Sequence, residues 1–281
     1  MIKIINGHYV VDGAGVKIYR VFSNETVKLT DPFLLLDYFG SDNSEDYISG
    51  FPWHPHRGIE TVTYMLKGDV EHQDNIGHKG VISAGDVQWM SSGSGIIHQE
   101  MPQGKNGMFG FQLWVNMPSD KKMITPKYRG IEKNEIKIVK KDGVEVKVIS
   151  GEYSNIKGPV IDLIIDIIYL DVKLDKNKVF NYTPKKDYTT LCYIIKGKGY
   201  FLSEKSQEVN QNQLILYKDV DKLSIKSDSN LRFLLISGKP LREEIAWGGP
   251  IVMNTQQELQ QAFRELRDNT FIKDVKNIKK K

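Results

Sequence analysis

The residues best suited to chemistry in this 281-residue chain are its histidines. There are six, His8, His54, His56, His72, His78 and His98, and none follows His98. Two local spacings stand out: His54-x-His56 and His98-x-Glu100. In a β-strand, residues i and i+2 project from the same face. The first pair therefore aims two imidazoles at one point, and the second aims an imidazole and a carboxylate. If the two strands face each other inside a barrel, three nitrogens and one oxygen converge. Such a donor set, without a thiolate, suits Fe(II), Mn(II), Ni(II), Cu(II) or Zn(II) rather than calcium or magnesium. Four protein ligands on an octahedral ion leave two positions open. That favours a redox-active metal binding substrate and dioxygen together over a closed tetrahedral zinc. Pro55 lies between the first two histidines and cannot donate to a ladder, so the segment is expected at a strand end or sheet edge.

The elements that must position these groups read as short strands. Val16–Arg20, Thr61–Leu66, Val144–Ile149, Val160–Leu174, Thr190–Ile195, Gln213–Tyr217 and Leu231–Ser237 are rich in β-branched and aromatic residues, with Gly, Asn and Asp between many of them. This pattern indicates an all-β sandwich or barrel. One helix is expected near the end. Thr255 and Glu258 form a capping box, and Leu259, Ala262, Phe263 and Leu266 make one apolar stripe that should pack on a sheet.

An internal repeat organises the chain. Phe51–Gly68 (FPWHPHRGIETVTYMLKG) aligns with Phe180–Gly197 (FNYTPKKDYTTLCYIIKG) at a constant offset, matching Phe51/Phe180, Pro55/Pro184, Thr61/Thr190, Tyr64/Tyr193, Lys67/Lys196 and Gly68/Gly197. Two related β-domains follow, residues 1–135 and 136–281, with the seam between Lys127 and Gly143. The second copy carries Thr183 and Lys185 where the first carries His54 and His56, so only the first domain keeps the metal donors.

Composition excludes several classes. The formal charge is +4, and Thr270–Lys281 supplies all of it through five lysines against Asp274. The rest is neutral, so a basic nucleic-acid surface is not expected. The single cysteine, Cys192, excludes an intrachain disulfide and a Cys-rich metal site. Met1–Val11 lacks a secretory leader pattern, and Gly158–Leu174, the most apolar stretch, is interrupted by Asp162, Asp166 and Asp171. A cytoplasmic protein without a membrane span is the expectation.

Longer motifs resemble the pirin family of the cupin superfamily. They are Pro32–Asp37 (PFLLLD), His54–Tyr64 (HPHRGIETVTY), Val70–His72, Gly80–Ile82, Gly85–Met90 (GDVQWM), Gly95–Pro102 (GIIHQEMP) and Gly249–Thr255 (GPIVMNT). The resemblance runs from about Gly15 to Asp268 and is densest through Met101. It implies a bicupin, two double-stranded β-helix barrels with a short C-terminal helix. It implies one divalent metal in the N-terminal barrel, Fe(II) before Mn, Ni, Cu, Co or Zn, held by His54, His56, His98 and Glu100. Many cupins place a ligand where Glu60 stands; in pirins that role passes to the later glutamate, which leaves Glu60 to support the ligands from behind or to be structural. His72 and His78 are read as non-ligands, His72 hydrogen-bonded and His78 solvated. Trp53, Phe51, Trp89, Met90, Phe111 and Trp114 are candidates for an aromatic pocket, with core packing the favoured reading for each, and Cys192 is read as inert. The implied activity is quercetin 2,3-dioxygenase-type cleavage of a flavonol by O2 with release of carbon monoxide, Glu100 taking the proton. The alternative implication is an iron-dependent redox sensor, similar to a transcriptional cofactor, acting through a protein partner with Arg57 as transmitter. A monomer is expected in either case.

Overall fold

The structure, a computed structural model, describes residues 2–202, 206–218 and 220–273. The lysine-rich tail singled out above lies, from Asp274 onward, outside the described residues. The chain forms two compact units. One contains residues 9–24, 33–133 and 241–273; the other contains residues 2–8, 25–32 and 134–240.

The first unit is built from β1 (His8–Asp12), β2 (Val16–Phe22), β3 (Phe33–Ser41), β4 (Phe51–His56), β5 (Ile59–Lys67), β6 (Asp69–Asp74), β7 (Lys79–Ile82), β8 (Val87–Ser91), β9 (Ile96–Gln103), β10 (Met108–Asn116) and β11 (Lys127–Ile131). They form a seven-stranded sheet ordered β11-β8-β5-β10-β3-β2-β1 and a four-stranded sheet ordered β4-β9-β6-β7. The pairings are antiparallel, which allows alternating side chains to line an interior. Val16, Ile18, Phe39, Met65, Val70, Ile82 and Met108 fill part of that interior.

The second unit repeats the plan. Its seven-stranded sheet is ordered Ile2–Asn6, Gln213–Tyr217, Thr189–Lys196, Leu231–Gly238, Ile167–Leu174, Val144–Ser150, Lys137–Lys141. Its four-stranded sheet is ordered Val179–Tyr182, Leu223–Ser227, Lys198–Phe201, Gln207–Asn210. The repeated segments β5 and Thr189–Lys196 take the same third place in their sheets, so the constant offset is structural. Phe180, Phe201, Tyr217 and Phe233 pack in this second core.

Two elements differ from expectation. The long strand expected from Val160 begins only at Ile167. Residues before it carry a single bridge, Ser150 to Val160, and Ile161 is 83% exposed. Val160 and Ile165 are buried, but residues 161–166 pair with no neighbouring strand among the described residues, so propensity alone does not order a strand. The segment after Pro240, assigned above to the second domain, packs in the first unit. A hairpin of β12 (Ala246–Gly248) and β13 (Ile251–Met253) leads into α1 (Gln256–Arg267), whose Thr255/Glu258 capping box is formed. Leu259, Ala262, Phe263 and Leu266 cluster with Ala246, Ile251, Met253 and Phe271.

The hairpin docks beside the histidine strand. Val252 N–H donates to Arg57 O at 3.1 Å. Gly58 has φ +77°, and a Cβ there would lie 2.0 Å from Val252 O. Glycine is required on both counts.

Candidate metal centre

β4 and β9 are antiparallel neighbours, with His98 opposite His54 and Ile96 opposite His56. The two motif strands therefore lie side by side in one sheet rather than facing each other across the barrel. Their register shifts between His98 and Glu100, which stands opposite Phe51. This bulge re-aims the carboxylate relative to strict alternation.

His54, His56 and His98 converge, each offering one nitrogen within 4.8 Å of the others. Ring centroids lie 4.8 Å apart for His54 and His56, 4.3 Å for His54 and His98, and 5.0 Å for His56 and His98. The tautomers follow from the partners. His54 Nδ1 lies 2.8 Å from Pro52 O and His56 Nδ1 lies 3.1 Å from Pro250 O. A carbonyl only accepts, so both Nδ1 atoms carry the proton and both Nε2 atoms present lone pairs. His98 Nε2 is buried without a hydrogen-bond partner. An orphaned nitrogen beside two bare imidazole nitrogens fits a divalent metal. Burial, reinforced by neighbouring His54, holds His56 and His98 well below the ordinary histidine value. Both are thus neutral at pH 7, as a ligand must be.

Glu100 is not in that three-residue cluster. Its Oε1 accepts from Thr63 Oγ1 at 3.0 Å and from Gln88 Nε2 at 3.4 Å. Both bonds fall on Oε1, so Oε2 is the oxygen that remains for a metal or a proton. Thr63 also lies 2.6 Å from the Gln112 amide. Glu60 stands apart and fully buried; burial raises its pKa, against the Ser91 hydroxyl that donates to it at 2.5 Å.

His72 and His78 are outside the cluster but not idle. His72 is fully buried, its Nδ1 3.5 Å from His98 Nδ1 and its Nε2 3.4 Å from Asp74 Oδ2. His78, expected to be solvated, places Nδ1 2.8 Å from the same Asp74 oxygen. Burial alone would raise the Asp74 carboxyl, but the bonds from His72 and from the His78 backbone and ring outweigh it and hold it below the ordinary carboxylate value. Tyr128 stacks on both rings, at 4.8 Å from His72 and 4.9 Å from His78.

A cavity of about 720 Å³ opens onto His54, His56 and Glu100. Of the aromatic candidates, Phe51, Trp53 and Trp114 line it, whereas Trp89, Met90 and Phe111 are fully buried elsewhere. Trp114 meets His56 edge-on at 5.1 Å and lies 5.9 Å from Trp247 of the hairpin. Thr63, Gln112, Asp37 and Arg20 add a polar wall. Arg20 grips Asp37 through Nε at 3.0 Å and Nη2 at 2.9 Å. The sequence reading missed Trp247, Pro250, Gln112 and this pair. Only the Gly249–Thr255 motif hinted at the hairpin, without saying where it docks.

Arg57 is buried. It donates through Nε to Ser94 O at 2.7 Å and through Nη2 to Phe271 O at 2.8 Å, pairs through Nη1 with Glu265 at 2.8 Å, and lies over the Phe271 ring at 4.1 Å. It ties the strand end next to His56 to the helix rather than presenting a charge to solvent. In the second unit no comparable metal cluster occurs among the described residues. Lys185 there pairs with Asp166, which also accepts from the Tyr188 hydroxyl. Cys192 is buried in the second core, which pushes its thiol pKa up. No helix among the described residues is long and apolar enough to cross a membrane.

Two cupin-type barrels, one bearing a three-histidine cluster that could hold a metal, define a bicupin. The chain belongs to the pirin family: residues 15–115 match the pirin model and residues 169–272 match the pirin C-terminal cupin domain. It is 40% identical over 274 residues to a pirin-like protein of Caulobacter vibrioides, covering 96% of this chain and 98% of that one. It is 38% identical over 274 residues to a Pseudomonas aeruginosa protein provisionally named quercetin 2,3-dioxygenase, covering 95% of this chain and 96% of that one. A crystal structure of quercetin 2,3-dioxygenase from Acinetobacter baumannii superposes with a TM-score of 0.87 at 32% identity, over 96% of each chain. A bacterial pirin from Escherichia coli, solved with nickel(II), shares the fold at TM-score 0.68 and 21% identity, over 85% of this chain and 99% of that one.

Proposed function

We propose that this chain is a metal-dependent dioxygenase that opens the heterocycle of a flavonol such as quercetin with O2 and releases carbon monoxide. The observation that carries the reading is the convergence of three bare imidazole nitrogens at an aromatic-walled cavity that also exposes a carboxylate. His54, His56 and His98 hold the ion, Fe(II) in this reading, with Glu100 Oε2 as its fourth protein ligand or the proton acceptor. When bound, the ion supplies Lewis acidity toward the substrate hydroxyl and a redox partner for O2.

The chain's own residues do the rest. Phe51, Trp53 and Trp114 flank a planar aromatic substrate, as their places around the cavity suit. Glu100, held through Oε1 by Thr63 and Gln88, takes the 3-hydroxyl proton on Oε2. The apolar walls keep water from the resulting flavonolate, which then reacts with O2.

The test is direct. Metal-loaded protein mixed anaerobically with quercetin should shift the flavonol absorbance. Admitting O2 should then remove it with one carbon monoxide per flavonol lost. Flavonol binding with no O2-dependent loss of absorbance would refute the proposal.

A further inference from the structure

Behind His98 runs a chain of contacts that leads away from the cavity. His98 Nδ1 faces His72 Nδ1 at 3.5 Å, and His72 Nε2 faces Asp74 Oδ2 at 3.4 Å. Asp74 is fixed from its other side: Oδ1 accepts from Ile76 N–H at 3.0 Å and from His78 N–H at 2.9 Å, and Oδ2 meets His78 Nδ1 at 2.8 Å. Tyr128, stacked on His72 and His78, fixes the ring planes. In the register of the sheet, His98 stands opposite Asp74 and Glu100 opposite His72, so strands β6 and β9 bring these groups together by pairing alone.

We infer that Asp74, acting through His72, sets the metal-binding tautomer of His98. The inference rests on the metal-centre reading of His98. A carboxylate only accepts, so His72 places its proton on Nε2. Its Nδ1 is then bare and can only accept, so His98 places its own proton on Nδ1. His98 Nε2 is left as a lone pair, and it is the buried nitrogen with no protein partner. His54 and His56 reach the same state directly, through the carbonyls of Pro52 and Pro250. His98 reaches it through two side chains. Asp74 and His72 are positioning residues, since neither belongs to the three-histidine cluster.

The Asp74→Asn variant reverses the chain. The two backbone N–H groups that donate to Oδ1 keep the amide oxygen on their side, which turns the amide NH2 group toward His72. His72 Nε2 becomes the acceptor, its proton moves to Nδ1, and His98 must carry its proton on Nε2. Partners of this kind contribute about 10–100-fold to metal affinity.

The experiment uses the full chain, metal-free and 15N-labelled at histidine, with tautomers read from long-range 1H–15N correlations at pH 7. Ni(II) affinity is measured separately by chelator competition. The expected result is His98 protonated at Nδ1 in the wild type and at Nε2 in Asp74→Asn, with Ni(II) affinity lower by about 10–100-fold. His72→Phe keeps the stack on Tyr128 but cuts the chain. It should leave His98 a mixture of tautomers with weaker Ni(II) binding. A wild type that binds Ni(II) yet carries the His98 proton on Nε2 when metal-free overturns the inference alone. So does a folded Asp74→Asn with an unchanged tautomer. A wild type that binds no Ni(II) instead refutes the metal centre itself, and the two failures are distinguishable.

Discussion

Arg57→Met tests whether the C-terminal segment is a structural part of the unit that carries the three-histidine cluster. The guanidinium is 2% exposed and satisfies two backbone oxygens, Ser94 O and Phe271 O, besides the Glu265 carboxylate. Methionine fills much of the same volume and donates nothing. Two carbonyls then lose their partner, at about 1–3 kcal/mol each when buried. Glu265 keeps Lys273 at 2.8 Å, so it is not left as an isolated charge. The expected loss is about 3–5 kcal/mol, the usual range for breaking a buried pair from one side. The acid limb carries a second signature. Burial alone would raise the Glu265 carboxyl, but bonds from Lys273, Gln261 and Arg57 bring it from 4.5 to about 2. A carboxylate lowered in the folded state stabilises it above pH 4.5, and that stabilisation disappears as pH falls toward 2. The whole shift is worth at most about 3 kcal/mol, and less after solvent screening. Arg57 accounts for only a share, so the variant's acid limb should be shallower by about 1 kcal/mol. Tryptophan fluorescence isolates the right unit, because Trp53, Trp89, Trp114 and Trp247 all belong to it. Urea unfolding of metal-free protein at pH 7 and at pH 3 reads both signatures. A loss below about 1 kcal/mol at pH 7 with an unchanged acid limb would refute the clamp.

Three further outcomes are expected. Glu100→Gln should still bind quercetin anaerobically but lose at least 100-fold in O2-dependent turnover, on the order of a general base's contribution, as stopped-flow absorbance would show. Loading Fe(II) or Ni(II) should quench fluorescence, because Trp114 meets His56 at 5.1 Å; Trp114→Phe should remove most of that quench, and a variant quenched as strongly as the wild type would contradict the geometry. Lys122 Nζ donates to Gly58 O, Asn116 Oδ1 and Val252 O, while burial pushes its ammonium from 10.5 down to about 7. Because the unfolded chain then binds the extra proton between those values, the unit's stability should rise from pH 7 toward pH 10; Lys122→Met should abolish that rise and cost about 2–4 kcal/mol at pH 7 by stranding three oxygens, measured by urea unfolding.

Local spacing carried most of what the sequence made legible. His54-x-His56 and His98-x-Glu100 announce themselves because strand alternation acts over two residues. The repeat located the barrels because β5 and Thr189–Lys196 kept their apolar pattern. What stayed hidden depends on contacts distant along the chain. Pro250 O reaches His56 across 194 positions, and nothing local to either residue encodes that. The helix was visible from its capping box, but not the unit it would join. His72 and Asp74 share a strand at the two-residue spacing, yet without a neighbouring strand that spacing names no partner. The strand read from Val160 failed for another reason: its residues have β-propensity, and Val160 and Ile165 are buried, but no neighbouring strand among the described residues pairs with residues 161–166.

The repeat also shows that the two barrels differ beyond the histidines. In the first unit one row crosses five strands: Gln88, Thr63, Gln112, Asp37 and Arg20 stand opposite one another in succession. All five are polar, and Thr63 and Gln88 end on Glu100. The same row in the second unit, anchored where the repeat aligns Cys192 with Thr63, reads Ile215, Cys192, Leu235, Leu170 and Val148. All five are fully buried and belong to its apolar core. A polar row inside a barrel sacrifices hydrophobic burial that the second unit shows the fold can take, at about 25 cal/mol per Å² of apolar surface. Such a sacrifice is retained where the polar groups act, as when a carboxylate must be held and aimed beside a three-histidine cluster. The two barrels thus differ by a coordinated set of substitutions. The Thr183 and Lys185 that stand where the first unit has His54 and His56 are the visible part, and the apolar row through Cys192, packed into the second core, is the other.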